Sequence, residues 1–142
     1  MSKILIGSDH GGFKLKNAII AHLKEQGYDV QDFGCHSDAS CDYPIIAKEV
    51  AQAVLNSGEK GILVCGTGIG MSIAANKVKG IRAALCGDTF SAKMTRMHNN
   101  SNILCLGERV IGVGLALDIV NVWLSSEFEG GRHKRRVDML EN

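Results

Sequence analysis

Short runs of contiguous apolar residues alternate along this chain with segments whose apolar residues recur every three or four positions. Such runs lie within residues 3–8, 62–64, 81–86 and 103–106, where their length and branching suit strands buried on both faces, and residues 29–33 are read as a further strand. Among the periodic segments, Phe13, Ala18, Ile19 and Leu23 predict a first helix that Gly27 stops. Ile46, Val50 and Val54 mark a second, opened by Pro44 and closed near Gly58. A third helical pattern covers residues 72–77, a fourth covers 89–97 with Asp88 as its cap, and a fifth covers 113–124. The basic tail from Gly130 predicts a sixth. Strands and helices in strict alternation predict a three-layer α/β/α, Rossmann-like fold around a five-stranded parallel sheet. No linker or internal repeat interrupts the pattern, so residues 1–142 are expected to form one domain.

Composition adds little pull toward any macromolecule. The chain is 45% apolar and 22% charged with a formal net charge of +1, which argues against nucleic-acid and membrane partners. No apolar run approaches the roughly 20 residues of a membrane span, and the N-terminus enters a strand with no signal-peptide pattern. Five cysteines, an odd number with no C-x-x-C pair, suggest free thiols in a reducing, cytoplasmic setting. Cys86 and Cys105 sit inside apolar runs and read as buried small hydrophobes.

Candidate chemistry centres on residues 61–72, a strand that ends on Cys65 and runs through Gly66, Thr67, Gly68, Ile69 and Gly70 into a helix. Such a turn gathers free N–H groups and the positive end of a helix dipole. Met71 stands where the dinucleotide fingerprint G-x-G-x-x-G needs its last glycine, so that motif is absent. The glycines serve either a tight turn alone or a nest for an oxyanion or phosphate. Cys65 is either a core cysteine or, beside a helix N-terminus, a base or nucleophile.

Ligands of parallel α/β sheets bind at the C-terminal strand ends, a rim that collects Asp9, His10, the loop before Tyr43, Cys65, Asp88 and Arg109. Asp9 and His10 suit a helix cap or a ligand contact. His98 suits either a helix C-terminus or proton transfer. His22 reads as a surface residue, and His36 with Cys35 and Cys41 matches no strong zinc spacing. The basic tail over residues 130–136 suits a solvated charge run or a nucleic-acid patch, or, if helical, a phosphate clamp in which Arg132 and Arg136 share a face at i, i+4.

Taken together, Gly7-Ser8-Asp9-His10, Asp42-Tyr43-Pro44, Cys65-Gly66-Thr67-Gly68-Ile69-Gly70, Ala74-Ala75-Asn76-Lys77, His98-Asn99-Asn100 and Gly130-Gly131-Arg132-His133 resemble ribose-5-phosphate isomerase type B. That group is part of the wider ribose/galactose-6-phosphate isomerase family, and the likeness runs end to end. It implies interconversion of D-ribose 5-phosphate and D-ribulose 5-phosphate through an enediolate, in the non-oxidative pentose phosphate branch, with no organic cofactor and no metal. By the resemblance, Cys65 is the base, the amides of residues 66–70 hold the oxyanion, and His98 assists ring opening. Thr67 and Asp9 position hydroxyls, and Asn99 binds sugar. His10, Arg109, Arg132 and Arg136 are associated with substrate and phosphate, and Tyr43 matches a further site position. The family pattern implies a homodimer or tetramer with a site shared across the interface. One branch carries a glutamate base at the position of Met71; retention of Cys65 places this chain with the cysteine branch. The alternatives are a hexose-6-phosphate isomerase (allose or galactose 6-phosphate) and a noncatalytic phosphosugar- or nucleotide-binding module on the same scaffold.

Overall fold

The structure, a computed structural model, describes residues 2–142. The strands are β1 (Lys3–Ser8), β2 (Asp29–Asp32), β3 (Lys60–Cys65), β4 (Ala83–Leu85) and β5 (Ile103–Gly107). The helices are α1 (Phe13–Glu25), α2 (Tyr43–Ser57), α3 (Ile69–Asn76), α4 (Thr89–Asn99), α5 (Val113–Ser125) and α6 (Arg132–Leu140). A single 3-10 turn, His10–Gly12, joins β1 to α1. All strand pairs are parallel in the order β2-β1-β3-β5-β4, with Ile6 opposite Ile62 and Cys65 opposite Gly107.

Alternate residues of the central strands feed two cores, as the twofold periodicity of a strand requires. On one face Ile4, Ile6, Ile62, Val64, Leu104 and Leu106 meet Leu15, Ile19 and Leu23 of α1 and Ile119 and Trp123 of α5. On the other, Leu5, Leu63 and Cys105 meet Ile46, Val50 and Val54 of α2 and Met71 and Ala75 of α3. Trp123 is fully buried and its indole N–H donates to Ser101 Oγ at 2.9 Å, so the largest core side chain leaves no polar atom unmet. Because α1 leaves β1 toward one face of the sheet and α3 leaves the neighbouring β3 toward the other, a crevice opens at the C-terminal ends of β1 and β3.

Two elements and one side chain differ from the sequence expectation. The helix after Cys65 starts at Ile69 rather than residue 72, because Gly68 takes a left-handed φ of 80° and ends the turn there. Ile69 and Ile73 are 51% and 56% exposed, so the outward face of this helix is apolar and hides its amphipathic period. The strand expected over 81–86 contracts to β4, since the Arg82 N–H is given to Asn102 Oδ1 (2.8 Å) and not to a strand. His22 is not a free surface residue: its Nε2 lies 2.8 Å from Asn121 Oδ1 and ties α1 to α5. Asp88 does cap α4, accepting from the Ser91 N–H at 2.6 Å, and Cys86 and Cys105 are buried.

Lys16 on α1 has no exposed surface, yet its ammonium is held by Asp32 Oδ1 (2.9 Å), Asp32 Oδ2 (3.1 Å) and the Cys35 carbonyl. Asp32 Oδ1 also accepts from the Gly34 N–H at 2.8 Å. This pair fastens the start of the loop over residues 33–42, which then crosses to the crevice. Asp32→Ala would leave a buried ammonium with one carbonyl, and we expect a loss of about 3 kcal/mol in unfolding free energy. Urea denaturation of the two proteins measures it; a loss below about 1 kcal/mol, the range of a surface pair, would contradict the argument.

Candidate active site

Cys65 is the last residue of β3 and only 6% exposed. Its Sγ accepts a hydrogen bond from the Gly68 N–H at 3.1 Å. Thr67 Oγ1 accepts from the Ile69 N–H at 3.2 Å, so the turn is braced from within by two side chains. The loop after β5 clamps it from outside: the Glu108 N–H donates to the Cys65 carbonyl (2.9 Å) and the Arg109 N–H to the Gly66 carbonyl (3.0 Å). Glu108 Oε1 in turn accepts the Leu15 N–H at 2.8 Å, capping the start of α1. A Cβ placed on Gly66 would lie 3.6 Å from Cδ and 3.7 Å from Nη1 of Arg109, so that guanidinium lies over the turn.

The N-terminal strand contributes the neighbouring wall. Asp9 Oδ1 accepts the Gly11 N–H at 2.9 Å and caps the 3-10 turn, while the Asp9 N–H reaches the Val64 carbonyl at 3.3 Å. Here the cap reading of Asp9 holds, and the residue also lines a cavity. His10 Nδ1 accepts from the Cys41 N–H at 3.2 Å, so a neutral His10 carries its proton on Nε2. Asp9, His10, Asp42 and Tyr43 line a cavity of about 520 Å³. Tyr43 packs on the turn itself, since a Cβ on Gly70 would stand 2.8 Å from its ring.

The remaining predicted residues lie elsewhere. His98 and Asn99, at the end of α4, share a cavity of about 360 Å³ with His133 and Arg136 of α6. His98 Nε2 lies 3.2 Å from Glu129 Oε1, and its ring stacks on His133 with centroids 4.2 Å apart. Arg132 opens α6 and is exposed. Arg132 and Arg136 do occupy one helix, as the spacing requires. Burial, the charge of His98 and the two arginines lower the pKa of His133 from its ordinary value against the pull of Glu129. The sequence-predicted residues therefore form two groups in one subunit. Asp9, His10 and Tyr43 share one cavity, with Tyr43 and Arg109 packed against the Cys65 turn, and His98, Asn99 and Arg136 line another.

Glu108, Glu129 and His133 escape a sequence reading of the site. Glu108 and Glu129 act on chain segments far away in sequence, and nothing in local spacing marks such contacts; only the motif Gly130-Gly131-Arg132-His133 points to the region. Among the other thiols, Cys86 is pushed up to about 11 by burial, and Cys41 to about 11 chiefly by its hydrogen bond with Cys35. Burial raises Cys105 as well.

A parallel α/β sheet with a thiol, braced amides and an arginine at one strand end defines a class of small-ligand site built at sheet C-termini. The chain belongs to the ribose/galactose isomerase family, whose model matches residues 4–140. It is 50% identical to Escherichia coli ribose-5-phosphate isomerase B, over 99% of this chain and 95% of that one. The solved structure of Clostridium thermocellum ribose-5-phosphate isomerase B is 56% identical and matches with a TM-score of 0.96 over 98% of this chain and 95% of that one. Mycoplasma genitalium ribose-5-phosphate isomerase B, solved with bound ribulose-5-phosphate, is 46% identical with a TM-score of 0.92, covering 97% and 93%.

Gly68 is where the turn tolerates least. Its φ is 80°, and a Cβ there would meet Leu85 Cδ1 at 2.5 Å and the Leu106 carbonyl carbon at 2.9 Å. We expect Gly68→Ala to destabilise the protein by about 2 kcal/mol or more, from backbone strain plus overpacking. Gly87→Ala is the control, because a methyl group there would meet no atom within 4 Å beyond its chain neighbours. Equal melting temperatures for the two variants would refute the argument.

Proposed function

We propose that this chain is an aldose–ketose isomerase that interconverts D-ribose 5-phosphate and D-ribulose 5-phosphate through an enediolate. The observation that carries the reading is the Cys65 sulfur at the end of β3 with the Gly68 N–H directed at it, in a member of this family. Isomerisation needs a base beside the acidic C–H, donors for the developing oxyanion and a group that opens the sugar ring. Cys65 takes the proton from C2 and returns it to C1, while the hydroxyl proton moves from O2 to O1. The amide of Gly68 is already directed to sulfur and that of Ile69 to Thr67, so the amides of Gly66, Thr67 and Gly70 are the ones assigned to the enediolate oxygen. Met71, where one branch of the family has a glutamate base, is fully buried in the α2–α3 core and carries no acid.

Substrate grip follows the same division. Asp9 and Thr67 orient hydroxyls, with Tyr43 and Asn99 against the sugar. His10, Arg109, Arg132 and Arg136 hold the phosphate, whose remote binding energy fixes the reacting carbons against sulfur. His98 opens the furanose.

We further propose that the active protein is a homodimer in which His98, Asn99, Arg132 and Arg136 of one subunit complete the Cys65 site of the other. Two features support it: His98, Asn99 and Arg136 line a cavity apart from the Cys65 wall, and Ile69, Ile73 and Leu85 leave exposed apolar surface around the turn. No helix of the described residues is long and apolar enough to cross a membrane. We place the reaction in the cytoplasm, in the non-oxidative pentose phosphate branch.

Cys65→Ala is expected to lower turnover of ribose 5-phosphate by about 10³-fold or more while calorimetric binding of the substrate persists. Full activity in that variant would remove Cys65 from its role. Subunit mixing tests the shared site: Cys65→Ala and His98→Ala are each inactive alone, but after random exchange the mixed dimers hold one intact site each. About a quarter of wild-type activity should return if the site is shared across a twofold interface. No recovery would mean that each chain builds its site alone.

A further inference from the structure

We propose that Glu129 is a positioning residue for ring opening: its carboxylate holds the Nε2 proton of His98, leaving Nδ1 as the nitrogen that exchanges a proton with the sugar. The inference rests on the reading of His98 as the ring-opening group.

Glu129 is placed for this by backbone, not by chance contact of two long side chains. Its N–H donates to the carbonyl of Met97, the residue before His98, at 3.0 Å. That bond sets Glu129 Oε1 3.2 Å from His98 Nε2. The chain then turns through Gly130 (φ 70°) and Gly131 (φ 57°), values that L side chains rarely adopt, and starts α6 beside α4. On the first turn of α6, His133 lays its ring on that of His98, with 10° between the planes. His133 Nε2 is 3.8 Å from the same carboxylate oxygen, too far for a hydrogen bond, so His98 is the partner. The groups around His98 are thus one carboxylate, a second imidazole whose proton affinity is lowered, and the Arg132 and Arg136 charges.

Two histidines and a glutamate with ligand atoms within 4.8 Å also match the composition of a metal site. Ring geometry decides against that use. A metal lies in the plane of each imidazole that binds it, about 2.0–2.1 Å from nitrogen. Stacked rings 4.2 Å apart hold their lone pairs in nearly parallel planes, so one ion cannot serve both unless a ring turns. The same stacking suits a ring whose orientation must be held. A carboxylate on one imidazole nitrogen selects the tautomer and hence the reactive nitrogen. In ring opening, Nδ1 accepts the anomeric hydroxyl proton, the C1–O4 bond breaks with its electron pair going to O4, the C1 carbonyl forms, and the proton is delivered to O4.

The test separates ring opening from enediolate chemistry. Ribulose 5-phosphate cannot close a furanose, because the oxygen that would close it carries the phosphate. Exchange of its C1 hydrogen with D2O therefore needs Cys65 but no ring opening. Glu129→Ala should lower kcat/KM for ribose 5-phosphate by about 10- to 100-fold, the usual range for loss of a group that orients a histidine. The fall in C1 exchange should be at least tenfold smaller, and Glu129→Gln, which keeps an oxygen acceptor, should recover part of the loss. In 15N NMR spectra, neutral His98 should be the Nε2–H tautomer in the wild type and a mixture in Glu129→Ala. Equal falls in both assays, wild-type ribose 5-phosphate turnover in Glu129→Ala, or an Nδ1–H tautomer in the wild type would each overturn the proposal. Full ribose 5-phosphate turnover in His98→Ala would overturn the ring-opening reading itself, and the proposal with it.

Discussion

Backbone segments meet around the end of β3 at distances that admit no side chain. A Cβ on Gly12 would lie 2.5 Å from the Val64 carbonyl, and one on Gly107 would lie 2.5 Å from the Thr67 carbonyl oxygen. This close approach is the constraint on which the site depends. It lets the loop after β1 hydrogen-bond to Val64 and the loop after β5 to Cys65 and Gly66, so Cys65 is located by main chain on both sides. A sulfur held this way loses little freedom when substrate arrives, which is what orientation in a reactive complex requires. Glycine is required here at two kinds of place: at close contacts such as Gly12 and Gly107, and at left-handed turns such as Gly68.

A second consequence concerns how the candidate residues are divided. One half of the candidate site is built on strand ends and the loops that follow them. The other half rides on the end of α4 and on α6, outside the sheet. On the proposed reading this division links assembly to activity: one subunit brings Cys65 and the amides, and His98, 40% exposed beside Glu129, completes the site of the other. Arg136 of α6 lines the same cavity as His98, so in the proposed dimer the partner site gains charge and proton transfer together.

Much of the fold is legible in the chain because the central strands β1, β3 and β5 are buried and read as apolar runs. The helix cap at Asp88 and the Pro44 entry are legible too, since capping is a local interaction between neighbours. The departures lie where tertiary contact overrides local pattern. Residues 69–71 join α3 although Ile69 and Ile73 face outward, and β4 shortens because Asn102 takes the Arg82 N–H. His22 has the spacing of a surface residue and instead bridges two helices, through a partner 99 positions away.

For the site, the sequence by itself determined the candidates: a thiol at a strand end, a glycine turn into a helix, Asp9 and His10 at the first strand end, and a basic tail. These follow from residue type and short spacing, which is all that local chemistry needs. Only the tertiary structure decided which candidates stand together. It set Arg109 over Gly66 and Tyr43 against Gly70, and it moved His98 away to a carboxylate and a second imidazole that no spacing announced. The physical reason is that strand order and helix packing, not distance along the chain, set which side chains come within hydrogen-bonding range.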